Sequence, residues 1–275
     1  MIDEPDSATW PSYREVAITR WRQDQCETAF DQVAEETPIA LIYNDQPHVV
    51  MLATPNDLED FALGFSITEG IVQRTEELQS IKRVPHRDGI ELRILIDPER
   101  AACLLDKTRN LAGRTGCGLC GRATLAQAVR TPPRVRAQAT ITADELHGAL
   151  AALHTEQRIN RVTGAVHAAG WARIGEGLRY VREDVGRHNA LDKLIGVLLR
   201  RREDVAAGFI VVTSRASYEM VQKAAIAGVG LLAAVSAPTA LAVRLATATG
   251  ITLVGFARPE RHVVYTHPDR IHCSF

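Results

Sequence analysis

Between Lys223 and Arg244 the chain runs for twenty positions without a charge, residues 224–243. A run that long either crosses a bilayer or lies in the core of a globular domain. Ser236-Ala237-Pro238-Thr239 interrupts it, and Gly228 and Gly230 loosen it. The break favours two short elements, both buried in a water-soluble fold, over a membrane span.

The surrounding sequence alternates in the same way. Strand-like apolar runs occupy residues 166–171, 178–182, 208–213, 231–235 and 251–256. Helical patterns occupy 188–202, 217–227 and 238–249, the last with Pro238 near its first turn. Alternating strands and helices predict a three-layer α/β domain over residues 136–275. Residues 1–135 read as a smaller α+β domain. Its first fifteen residues are polar and expected to be loose. Residues 39–43 and 48–52 flank Asn44-Asp45-Gln46-Pro47, which predicts a hairpin with a four-residue loop. Asp57 is placed to cap a helix running to about residue 72. Two strands follow at 80–84 and 89–96, the second with apolar residues at alternate positions. Thr142-Ala143-Asp144-Glu145 reads as a capping box for a helix through about residue 157.

Residues 106–123 break every period. They hold four glycines and four cations, which predicts a flexible loop, and Thr131-Pro132-Pro133 reads as a linker. Inside that loop lies Cys117-Gly118-Leu119-Cys120. The other cysteines, Cys26, Cys103 and Cys273, are scattered, so no disulfide framework is spelled out. With an acidic N-terminus, this points to a reducing, cytoplasmic setting. A Cys-x-x-Cys pair can close a structural zinc site, cycle as a redox pair, carry sulfur on a nucleophilic thiolate, or be incidental. Zinc needs two more ligands, and no second Cys-x-x-Cys exists. A thioredoxin-like pair belongs at a strand–helix junction. Nearby Arg109, Arg114 and Arg122 would favour a thiolate.

Formal net charge is −1, which leaves no global basic field for nucleic acid. Only four of the 32 cationic residues are lysine. Arginine is the better bidentate phosphate ligand, although a base-composition bias explains much of the excess. Polar residues concentrate at three predicted strand ends: around Arg187-His188, at Ser214-Arg215, and at Ser236 to Thr239. The carboxyl ends of strands in an open α/β sheet, beside helix N-termini, suit a phosphate ligand. Simple helix capping is the plainer reading for Ser236 and Thr239. His167 is either a ligand contact or a satisfied structural histidine. A zinc-deaminase signature would need Glu where Ala169 stands and Pro before Cys117, so deamination is not expected.

Five ordered segments together resemble the formate dehydrogenase accessory protein family, FdhD. They are Phe61-Ala62-Leu63-Gly64-Phe65 with Thr68-Glu69-Gly70-Ile71, Thr115 through Gly121, Gly164 through Ala169, Glu183 through Lys193, and Ser214 through Glu219. The ending, Gly255 to Arg258 and Tyr265 to Pro268, is also similar, so the resemblance spans residues 35–271. It implies a sulfurtransferase that takes persulfide sulfur from a cysteine desulfurase. The sulfur then passes to the molybdenum of bis-molybdopterin guanine dinucleotide, the cofactor of formate dehydrogenase. It implies a homodimer whose C-terminal domain resembles the cytidine deaminase fold and binds the guanine ends, which GDP would mimic. By matching motifs, Cys117 is the persulfide carrier and Cys120 its partner. The cofactor-binding stretch maps onto Phe256, Ala257, Arg258, Pro259, Glu260 and Arg261. His167, Arg187, His188, Ser214 and Arg215 complete the expected binding set, with no resident metal. Members often have Asn where His262 stands and Gly where Ala165 stands.

Overall fold

A computed structural model describes residues 10–109, 132–136 and 139–273. Cys117, Cys120, Arg114, Arg122, most of the expected loop and the start of the linker lie outside the described residues, as do residues 1–9.

The N-terminal half begins with a ribbon of two long strands, β1 (Tyr13–Arg22) and β2 (Gln25–Ala34), where looseness was expected to residue 15. Most of its side chains are exposed, so its strands lack the buried-face alternation that reveals a strand in sequence. β3 (Thr37–Tyr43) and β4 (Gln46–Ala53) then form a hairpin. Its loop has two residues, not the expected four. Asn44 and Asp45 both take positive φ, 47° and 61°, the requirement of a type I′ turn. Pro47 belongs to β4 because β4 is an edge strand, where a missing N–H breaks no ladder. β5 (Leu78–His86) and β6 (Gly89–Ile96) complete a sheet of order β4-β3-β6-β5.

Helix α1 (Leu58–Thr68) covers one face of this sheet, burying Leu58, Phe61 and Phe65 against Ile39, Leu41, Leu92 and Ile94. Asp57 does not cap it. The residue is left-handed (φ 53°), and its carboxylate accepts from Asn56 Nδ2 at 2.7 Å. The helix stops at Thr68 rather than residue 72 because Gly70 turns left-handed (φ 68°). Ile71 N–H then donates to Ser66 O and Gly70 N–H to Ile67 O, a Schellman ending. Helix α2 (Pro98–Arg109) absorbs the first four residues of the expected loop.

The C-terminal half is built on a six-stranded sheet of order β13-β12-β11-β10-β8-β9. β10 (Gly208–Val212), β11 (Leu231–Ala234) and β12 (Thr252–Arg258) are parallel. β8 (His167–Arg173), β9 (Gly177–Asp184) and β13 (Arg261–Val264) are antiparallel to their neighbours. Helices α5 (Arg187–Arg200), α6 (Tyr218–Ile226) and α7 (Ala240–Thr249) pack on one face. Helix α3 (Ala143–Glu156) packs on the other. The three layers and the mixed α/β class agree with expectation. Helix α7 starts two residues later than expected, capped by Thr239. The capping box on α3 forms: Glu145 N–H donates to Thr142 Oγ1, and Thr142 N–H to the Glu145 carboxylate. A short helix α4 (Arg158–Thr163) and the parallel pair of β7 (Ile141–Thr142) with β14 (Ile271–His272) were not anticipated.

The two halves meet where α1 crosses α5. A β-carbon on Gly64 would lie 1.8 Å from the Asp192 carbonyl oxygen. One on Gly196 would lie 1.8 Å from the Asp60 carbonyl oxygen. Only paired glycines let the two backbones touch.

Candidate anion-binding edge

The carboxyl ends of β10, β11 and β12 lie at one edge of the large sheet, and α5, α6 and α7 all begin there. β8 runs the other way, so its first residue, His167, reaches the same edge. In the register of β8 with β9, His167 stands opposite Asp184, two residues before Gly186, the N-cap of α5. Topology thus gathers His167, Arg187, His188, Ser214, Arg215, Ser236 and Phe256, far apart in sequence, along one rim.

Three helix N-termini contribute positive partial charge to this rim. Only α7 is capped by a side chain, with Thr239 Oγ1 accepting from Ala242 N–H at 3.3 Å. Gly186 offers α5 no side chain, and Ser217 makes no cap bond to α6. Ser217 Oγ and Arg187 Nε are buried and have no hydrogen-bond partner among the described residues. A buried donor left unpaired costs about 1–3 kcal/mol, a cost that an accepting ligand would relieve. Oxygens of a phosphate are such acceptors.

The histidines divide the work. His188 Nε2 lies 2.8 Å from Glu219 Oε2, joining the first turns of α5 and α6. His167 is half-buried, and burial, reinforced by the Arg187 charge, holds its pKa below the ordinary value. It is a neutral imidazole at pH 7, able to donate or accept without adding charge.

The stretch 256–261 is the bulged hairpin between β12 and β13. Phe256 takes a left-handed conformation (φ 51°) that leaves its ring half exposed, and its N–H donates to Ser236 O at 3.2 Å. Gly255 beneath it packs on Pro238, with room for no side chain. Arg258 Nη1 donates to Val235 O and Ala257 O, so part of its fork is spent on strand-end carbonyls. The Ala257 side chain lies in the core between α3 and the sheet. Pro259, Glu260 and Arg261 are exposed at the hairpin turn. Ser214 is buried and donates to Arg215 O, while Arg215 is exposed. Ser217 escaped the sequence reading because serine before a helix looks like a cap, and only its unused hydroxyl marks it.

A cavity of about 640 Å³ opens away from this rim, between the C-terminal ends of α1 and α6 and the segment 132–136. Its wall includes Thr68 and Glu69, which hold the buried Lys223 ammonium together with Asp192. Burial opposes that charge, but the two carboxylates outweigh it and raise the lysine's pKa. This is a structural knot with its polar groups satisfied. Among the described residues no helix is long and apolar enough to cross a membrane. No group of three His, Cys, Asp or Glu side chains is arranged to hold a metal ion there.

A protein from Cupriavidus necator named sulfur carrier protein FdhD is 52% identical over 261 residues, covering 95% of this chain and 91% of its own. One of the same name from Xanthomonas axonopodis pv. citri is 53% identical over 270 residues, 96% of each chain. The crystal structure of a candidate formate dehydrogenase accessory protein from Desulfotalea psychrophila superposes with a TM-score of 0.76 at 26% identity. It covers 95% of this chain and all of that one. The FdhD/NarQ family profile matches residues 34–272, and the chain belongs to that family.

Proposed function

We propose that this chain carries persulfide sulfur from a cysteine desulfurase to bis-molybdopterin guanine dinucleotide, for the activation of formate dehydrogenase. The observation that carries the reading is the rim itself. Two uncapped helix N-termini, the unpaired Arg187 Nε and Ser217 Oγ suit a nucleotide phosphate, in a chain whose relatives at 52–53% identity are named sulfur carriers.

In this reading residues 1–135 bring the thiols and residues 136–275 bind the cofactor as substrate, in the cytoplasm. The Cys117 thiolate attacks the outer sulfur of the desulfurase persulfide. The donor's S–S bond breaks, its cysteine leaves as thiolate, and Cys117 becomes the persulfide. Cys120 thiolate then attacks the inner sulfur of Cys117. A Cys117–Cys120 disulfide forms and sulfide is released to the molybdenum, so the sulfur is reduced as the two cysteines are oxidised. A cellular dithiol restores the pair. A second copy of the chain is the expected partner. The ribbon β1–β2 supports this with exposed Tyr13, Phe30 and Trp21, which share one face.

Desulfurase plus cysteine should add one sulfur atom to the intact mass, and Cys117→Ala should abolish both that gain and activation of formate dehydrogenase. An unmodified mass, or stoichiometric zinc whose chelation unfolds the protein, overturns the reading.

A further inference from the structure

Asp184 and Lys193 are both fully buried, and the Lys193 ammonium lies 2.7 Å from Asp184 Oδ2. Neither side chain is exposed at the rim. The Asp184 carboxylate is nevertheless saturated with donors from both halves of the molecule. Oδ1 accepts from Gly186 N–H at 2.8 Å and from Asn189 Nδ2 at 3.0 Å, both at the start of α5. Oδ2 accepts from Thr54 N–H at 3.0 Å, just past β4. Lys193 completes the tie, donating to Thr54 O at 2.8 Å and to Asn56 Oδ1 and Glu183 O at 3.3 Å. Val185 N–H donates to Thr54 Oγ1, and Asn189 Nδ2 also donates to Leu52 O. Gly186 is held so closely that a β-carbon would lie 2.8 Å from Asn189 Nδ2.

A buried pair earns little net stability, because desolvation offsets its attraction. What it does supply is geometry, since every partner must sit in one place for the charges to be satisfied. Here the partners are the turn that aims Arg187 and the connection between β4 and α1.

We propose that Asp184 and Lys193 are positioning residues for the anion-binding edge. Their ion pair fastens the turn at residues 185–187 to residues 52–56, so the N-terminal half sets where Arg187 and the first turn of α5 point. This rests on the nucleotide-binding reading above.

The test uses the full chain, GDP as probe, calorimetric Kd and melting temperature. Asp184→Asn and Lys193→Met should each lower the melting temperature and weaken GDP binding by about tenfold or more. The double variant Asp184→Asn/Lys193→Met removes the uncompensated charge. It should regain most of the melting temperature but none of the affinity. The milder Thr54→Val, which leaves the Val185 N–H without its acceptor, should lose about threefold in affinity with a smaller fall in melting temperature than either single charge variant. A double variant that binds GDP like the parent overturns the proposal, because affinity then follows stability alone. If the parent itself fails to bind GDP, the nucleotide reading falls. Hydrogen exchange in the first turn of α5 then decides the clamp: faster exchange in the double variant supports it, and unchanged protection overturns it.

Discussion

At the scale of single residues, the crossing of α1 and α5 tolerates nothing larger than glycine. Alanine normally favours a helix over glycine by about 1 kcal/mol. At Gly64 and Gly196 that gain is overwhelmed, because the clash is with backbone, which cannot rotate away. Gly64→Ala should cost about 3 kcal/mol, read as a lower urea midpoint at unchanged slope. A second residue-scale prediction concerns acid. His147 Nε2 and His262 Nδ1 are 3.0 Å apart, bridging α3 and β13. Burial and then the His147 charge hold the His262 pKa below its ordinary value of 6.5, and His167 is lowered as well. A lowered folded pKa means the unfolded chain binds more protons in the window below 6.5. The stability from keeping these rings neutral is full above that value and is lost as pH falls through the folded pKa. The urea midpoint should therefore drop between about pH 7.5 and about pH 5.5. His262→Asn should flatten that drop, and an equal drop in parent and variant would refute the assignment.

Elements were legible where a single face is buried, as in β6 and α3, and where an apolar β-branched run is buried throughout, as in β10. Ends were less legible, because they depend on individual backbone angles: Gly70 turning left-handed, or Asp57 doing so in place of capping. The ribbon β1–β2 left no periodic trace because neither of its faces is sealed against the body. Gly70 gives a clean contrast with Gly64. No atom lies within 4 Å of where its β-carbon would go, so Gly70→Ala meets no clash and pays only for the left-handed backbone. The expected loss is about 1 kcal/mol, seen as a small fall in melting temperature, and one as large as that of Gly64→Ala would contradict this account of the helix end.

The whole molecule was legible in class but not in coupling. Motifs 183–193 and 214–219 could be assigned to strand ends, and the topology brings them to one rim. Sequence could not show that Ala257 turns inward while Ser217 keeps its hydroxyl unused, since both depend on the β12 bulge and on helix starts. Nor did a boundary near residue 135 suggest how firmly the halves are joined. Three buried polar knots cross it. Asp60 accepts from Arg182 and Arg200, Asp184 binds both Thr54 and Lys193, and Lys223 joins Asp192 to Thr68 and Glu69. Leu199 and Ile226 also pack against the core of the N-terminal sheet. Unfolding either half alone would break the ion pairs of Asp60 with Arg182 and Arg200 and of Glu69 with Lys223, and would strip Asp184 and Lys193 of their bonds to Thr54, at about 3–5 kcal/mol for each buried pair broken. A sum of that size is comparable with the whole stability of a domain. The halves should therefore melt together: one calorimetric transition with matching van't Hoff and calorimetric enthalpies. Amides of β3 and β6 should exchange hydrogen with the same opening free energy as those of β10 and β11. Two resolved transitions, or an N-terminal sheet that opens at much lower cost, would mean that the knots do not couple the halves.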